Sequence, residues 1–214
     1  MYLSRVKIDT HNRKKVKDLN HLGAFHHWVE ESFPEEVKND ERSRKLWRID
    51  SLQGNQYLLL VSPEKPDLEQ LETYGVTGSA ESKDYSPLLN NLEEGNRLRF
   101  RVKLNPVKSL SSGKASGKRG RVIPLVTGDQ QREFLIDRSS QRGFTVKEDE
   151  FTIVNKGFEL LKRKGKELKV VSATYEGMLY ITDPDQFKET LISGFGKKKA
   201  YGFGLLTVLP DVRI

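Results

Sequence analysis

Apolar and polar positions alternate in "YLSRVKID" (residues 2–9), the period of a strand. The spacing then lengthens. Leu19, Leu22, Phe25, Val29 and Phe33 recur three or four apart and predict a helix over 15–33 that Pro34 stops. "KLWRIDSL" (45–52) and "QYLLLVS" (56–62) read as strands joined at "QGN", a hairpin turn signal. "KPDLEQLETYG" (65–75) begins with Pro66 and ends with Gly75, as a short helix does, and residues 76–86 return as a strand. The order is β-α-β-β-α-β.

After "SPLLNNLEEGN" (86–96) the order recurs. "RLRFRVKLNP" (97–106) alternates strictly, with arginines on one face. "GDQQREFLIDRSSQRG" (128–143) fits a helix closed by Gly143, and "EFTIVNKG" (150–157) a strand. "ELKVVSATYEGMLYIT" (167–182) is a long strand or a bent pair. "DPDQFKETLISG" (183–194) is a helix with Asp183 as N-cap, Pro184 in the first turn, Gln186 three residues after the cap and Gly194 at its end. "GFGLLTVLP" (202–210) is the last strand. The expected fold class is α+β, two tandem ferredoxin-like (βαββαβ, RRM-like) domains. Residues 1–90 hold the first, and residues 91–214 hold the second with a long basic insertion and a glycine-rich loop. The halves repeat as elements, not as residues. This layout exposes one sheet face, which RNA-binding domains of the same topology use, although the RNP aromatic signature of those domains is absent.

Composition narrows the class. A chain of 214 residues with 36% hydrophobic and 31% charged content suits one large or two small globular domains. No apolar run approaches the roughly 18–20 residues that cross a bilayer, so no membrane partner is expected. The N-terminus lacks the order of a signal peptide, which makes the cytoplasm the default address. With no cysteine there is no disulfide, thiolate metal site or cysteine nucleophile.

Charge adds more. The formal net charge of +7 favours a polyanion, because cations set against phosphates release condensed counterions. From Arg97 to Arg121 there are nine basic residues and no acidic one: Arg97, Arg99, Arg101, Lys103, Lys108, Lys114, Lys118, Arg119 and Arg121. A plain solvated face mixes signs, so the tract reads as a nucleic-acid contact or, more blandly, a basic loop. "GFGKKKAYGFG" sets Gly194, Gly196, Gly202 and Gly204 around Lys197, Lys198, Lys199 and Tyr201. Such glycine density marks special backbone conformations or a close approach, and the lysines suggest that an anion is approached.

Candidate chemistry is sparse. Of the four histidines, His21, His26 and His27 fall in the first predicted helix. At helical spacing His26 lies roughly 50° from the centre of the apolar stripe and His27 about 150° away, facing solvent. His26 is therefore either a packed boundary residue or a held imidazole that still reaches a ligand. Glu30–Glu31, Glu35–Glu36 and Glu148–Asp149–Glu150 read as solvated surface. No metal-ligand spacing, GxSxG or P-loop is present, so no metal or other cofactor is expected. One reaction fits what remains. RNA carries its own nucleophile, the 2′-hydroxyl. Its cleavage needs proton transfer, which an imidazole supplies, and positive charge around the phosphorane.

Five blocks carry a resemblance: "MYLSRVKI", "LGAFHHWVEESFP", "RLRFRVKLNPVKSL", "YEGMLYITDPDQF" and "GFGKKKAYGFGLLTVLP". In this order, over nearly the whole chain, they resemble the CasE family, the repeat-processing endoribonucleases of CRISPR Cascade systems within the repeat-associated mysterious protein superfamily. The resemblance implies two ferredoxin-like domains and metal-independent cleavage at the base of the CRISPR repeat hairpin. It implies 5′-hydroxyl and 2′,3′-cyclic phosphate ends, and retention of the product as a subunit among the other Cascade subunits. The family's catalytic histidine stands seven residues before "FP", which is His26 here. Some members carry a tyrosine three residues before that histidine, where this chain has Gly23. The resemblance also implies that the glycine-rich loop packs near the active helix and RNA, and that the tract from Arg97 to Arg121 lines the hairpin. The competing readings are a hairpin-RNA holder that does not cut and a structural subunit of another ribonucleoprotein. A DNA-binding regulator ranks below both, since no helix-turn-helix pattern is evident.

Overall fold

The computed structural model describes residues 1–110, 121–163 and 165–211. The first half runs β1 (Tyr2–Lys7), α1 (Arg13–Val16), α2 (Leu22–Glu31), α3 (Pro34–Lys38), β2 (Leu46–Leu52), β3 (Asn55–Ser62), α4 (Leu68–Leu71) and β4 (Glu81–Asp84). Its strands pair antiparallel in the order β2-β3-β1-β4. Gln53 and Gly54 turn the β2–β3 hairpin with positive φ at both positions, 50° and 75°, as a tight hairpin turn requires.

The helix expected over 15–33 is broken into two, α1 and α2, and a third, α3, begins at Pro34. Asn12 caps the first, accepting from the Lys15 N–H. His21 caps the second, its Nδ1 accepting from the Ala24 N–H at 3.1 Å. Pro34 does not merely stop α2 but opens α3, where its missing N–H has no intrahelical partner to lose. Caps thus override a hydrophobic period that runs on through them.

α5 (Ser86–Asn90) leads to β5 (Arg97–Leu104), β6 (Val107–Ser109), β7 (Val122–Pro124), α6 (Gly128–Ser139), β8 (Phe144–Thr145), β9 (Phe151–Arg163), β10 (Lys166–Ile181), α7 (Pro184–Ser193) and β11 (Leu206–Pro210). The second sheet has the order β11-β5-β10-β8, with β9 also paired to β10. In each half, taking β8 and β9 together as the second strand, the order is fourth, first, third, second. The α+β fold of two tandem ferredoxin-like domains is present. Among the described residues no helix is long and apolar enough to cross a membrane.

β9 is longer than expected, running to Arg163, while β10 matches its expected span to within one residue at each end. β5 pairs with β10 only from Ala173 onward, so the outer part of the β9–β10 hairpin, residues 157–163 and 165–172, projects beyond that sheet. Its Leu161 and Val170 are buried in a cluster with Leu22, Trp28 and Val29 of α2. The halves are also locked at β2. Leu46 belongs to the apolar cluster of the second half. Arg48, 1% exposed, spends all five N–H donors there: a fork on the Asp50 carboxylate at 2.7 Å, and bonds at 2.8 Å to the Arg101 and Leu205 carbonyls and the Thr207 hydroxyl.

Candidate active site

α2 is amphipathic, and its buried side anchors it: the Trp28 indole N–H donates to the Leu71 carbonyl at 3.2 Å. His26 lies at the margin of that side, with its side chain 26% exposed, while His27 is 72% exposed. Both positions agree with the helical spacing. The Tyr201 ring meets the His26 ring edge-on, centroids 5.2 Å apart. On the other side, Glu30 Oε1 stands 3.7 Å from His26 Nδ1, within ion-pair range though too long for a hydrogen bond. Burial pushes the imidazole below its ordinary value; Glu30 opposes this, and Arg42, Lys45 and His27 add to it. The free ring therefore favours its neutral form.

Glu30 and Glu36 are not the solvated surface expected of them. Lys45, its side chain 1% exposed, holds Glu36 at 2.6 Å and Glu30 at 3.3 Å. Burial raises the Glu36 carboxyl, but the bonds from Lys45 and Ser43 outweigh it and hold the group below the usual carboxylate range.

The glycine turn packs against this helix and β2. A single 3-10 turn, Lys199–Tyr201, carries the Tyr201 ring, flanked by Lys198 and Gly202 in left-handed conformations. The Trp47 indole N–H donates to the Ala200 carbonyl at 3.1 Å. Three of the four glycines answer to close packing within the chain itself. An added Cβ would lie 2.6 Å from Leu46 at Gly194, 2.6 Å from the Trp47 ring at Gly202 and 2.4 Å from the Phe195 carbonyl at Gly204. Gly196 alone has room, its nearest neighbour being Leu104 at 3.6 Å. Lys199 also turns inward. Its ammonium donates to the Ser193 and Gly194 carbonyls, tying off α7. Burial, with Arg44 and Arg142, lowers its pKa against the pull of Glu189. Lys197 and Lys198 are exposed.

Position 23 is closed by the hairpin, where a Cβ would lie 2.6 Å from the Lys162 carbonyl oxygen. The aromatic ring beside His26 comes instead from Tyr201, across the site. Sequence reasoning noted Tyr201 only as part of the loop and gave it no role.

The basic tract divides. Arg97 pairs with Asp211 and with Glu150 at 3.3 Å; Arg101 with Glu176 and with Asp50 at 3.1 Å; Lys103 with Glu159 at 2.6 Å. These cations have intramolecular partners. Arg99, Lys108 and Arg121 are exposed. Lys114, Lys118 and Arg119 lie outside the described residues. The projecting hairpin adds exposed Lys166, Leu168 and Lys169 on β10 and Phe158 on β9, which sequence reasoning did not single out. Among the described residues no three metal-ligating side chains converge.

The family described as CRISPR associated protein matches residues 1–210. The CRISPR-associated endoribonuclease Cse3 of Thermus thermophilus is 30% identical over 222 residues, spanning 98% of this chain and all of that protein. The CRISPR system Cascade subunit CasE of Escherichia coli is 25% identical over 217 residues, spanning 98% of this chain and 100% of that one. A solved structure of CRISPR endoribonuclease Cse3 bound to 19 nt RNA superposes with a TM-score of 0.80 at 28% identity, covering 98% of this chain and 100% of that chain.

Proposed function

Because the chain belongs to the CRISPR associated protein family, we propose that it is an endoribonuclease that cuts CRISPR precursor RNA at the base of the repeat hairpin. It acts in the cytoplasm without a metal or cofactor and keeps the mature guide RNA as a Cascade subunit. The observation that carries this reading is the partly exposed His26 imidazole between Glu30 and the Tyr201 ring of the glycine turn.

The reaction uses the substrate's own 2′-hydroxyl. His26 accepts its proton or donates one to the departing 5′-oxygen. The O2′–P bond forms as the P–O5′ bond breaks, leaving a 2′,3′-cyclic phosphate and a 5′-hydroxyl, with no water consumed. A ring held neutral by its surroundings suits the accepting role. Arg99, Lys108, Arg121, Lys197 and Lys198 present exposed heads to RNA phosphates, Lys197 in exchange for its 3.2 Å bond to the Ser109 hydroxyl, and the proposed RNA contact includes Lys114, Lys118 and Arg119. Arg97, Arg101 and Lys103 join only by exchanging a carboxylate for a phosphate. Gly196 admits close approach, while Gly194, Gly202, Gly204 and Lys199 shape the turn. A-form RNA is then gripped mainly by shape and phosphate.

The test is hairpin repeat RNA incubated with protein in chelator, with both product ends identified. His26→Ala should lose about 10²–10⁴-fold in cleavage while RNA binding persists. Cleavage by that variant at the wild-type rate would refute the assignment of His26. A wild-type protein that binds the hairpin and leaves it intact would make the protein a holder.

A further inference from the structure

The Lys45 cluster is short of a cation. One lysine, its side chain 1% exposed, faces two carboxylates, Glu30 and Glu36, whose side chains are 22% and 12% exposed. Glu36 is satisfied twice over, by Lys45 at 2.6 Å and by the Ser43 hydroxyl at 2.6 Å and N–H at 3.0 Å. Glu30 is not. One of its oxygens holds Lys45 at 3.3 Å, and the other faces His26 Nδ1 at 3.7 Å. The cluster's surplus negative charge thus points at the imidazole. Lys45 itself is pinned by the Phe33 ring, 4.8 Å away, so Glu30 has a fixed anchor. His26 Nε2 has no hydrogen-bond partner among the described residues and is left for the substrate.

We propose that Glu30 is a positioning residue of the cleavage reaction: anchored by Lys45, its carboxylate orients His26 and compensates the positive charge that the ring gains on accepting the 2′-hydroxyl proton. In that step the proton passes to the imidazole and the freed oxygen pair forms the O2′–P bond. The P–O5′ bond breaks, and the 5′-oxygen takes a proton from solvent. A protonated His26 supplies the cation that the cluster lacks. Around the ring, Arg42 and Lys45 from the segment before β2 and His27 on α2 act against the protonated form, and Tyr201 closes the remaining side. Among these groups Glu30 is the one that favours it. This role rests on the endoribonuclease reading of the same site.

Two measurements separate the two ideas. Histidine ring titrations by NMR in the free protein, with His26→Ala identifying the signal, need neither RNA nor cleavage. Single-turnover cleavage of hairpin repeat RNA across pH reads the function. Glu30→Gln keeps the shape and the bond to Lys45 but not the charge; Glu30→Ala removes both. In both variants the His26 midpoint should fall. Glu30→Gln should cut more slowly by on the order of tenfold, short of the 10²–10⁴-fold cost of losing a proton-transfer group. Its histidine-governed pH limb should move to lower pH with the midpoint. A His26 midpoint unmoved in both variants overturns the proposal, as does a moved midpoint with unchanged cleavage. A wild-type protein that does not cut overturns the endoribonuclease reading and the positioning role together, whatever the titrations give.

Discussion

Gly202 has no latitude. Its φ of 78° disfavours any side chain, and a Cβ would meet the Trp47 ring at 2.6 Å. Gly196 shares the positive φ, at 85°, but has room for a Cβ, which would rest in ordinary contact with Leu104 at 3.6 Å. Gly202→Ala should therefore cost more stability than Gly196→Ala, about 2–4 kcal/mol against about 1–2 kcal/mol. Urea unfolding of the two variants measures this, and equal costs would mean that contact with Trp47 does not set the need for glycine. Gly202→Ala should also slow cleavage, because the turn it disturbs carries the Tyr201 ring. At this scale the sequence was half legible. Glycine density signalled a constrained backbone, but no local pattern told that the close neighbour was the protein's own tryptophan. The marginal placement of His26 was legible because helical spacing sets its angle to the stripe, while its choice as the proton-handling group came from the family resemblance. Glu30 was misjudged because its i+4 relation to His26 was visible but Lys45, buried fourteen positions beyond "EE", was not.

α7 was read almost to the residue, since Asp183, Pro184 and Gly194 are local punctuation. The helix over 15–33 failed for the converse reason: its stripe is set by tertiary packing, and the His21 cap cuts across it. β9 was read short because beyond Gly157 it mixes Glu159 and Lys162 with Leu160 and Leu161, so alternation there resembles a polar loop, whereas β10 was read to within one residue at each end. The hairpin's inner partner is α2, far away in the chain. Leu161, fully buried against that helix, tests the contact. Leu161→Ala should destabilise by about 2–5 kcal/mol, and if the hairpin truly backs the helix, cleavage near the melting range should fall before the global transition is complete. Thermal unfolding followed alongside activity decides it; a loss under about 1 kcal/mol would mean that the hairpin merely touches.

At the scale of the molecule, the two halves do not behave as beads on a string. Arg48 from the first half donates to one carbonyl of β5 and one in the segment entering β11, and its charge is matched by Asp50. Removing one member of such a buried pair typically costs about 3–5 kcal/mol. Arg48→Ala should show that loss in a single cooperative transition; two separate transitions would mean that the halves unfold independently. Long-range ties of this kind are invisible to periodicity, which is why the doubled fold was legible and the joint was not. One last consequence is optical. The chain has two tryptophans, Trp28 and Trp47. Each is 1% exposed; one sits within α2 and the other, stacked on Phe25, lies beneath the glycine turn. Ultraviolet-excited emission from this protein therefore originates mainly at the walls of a single locale, and a dye-free titration with hairpin RNA should report any rearrangement there.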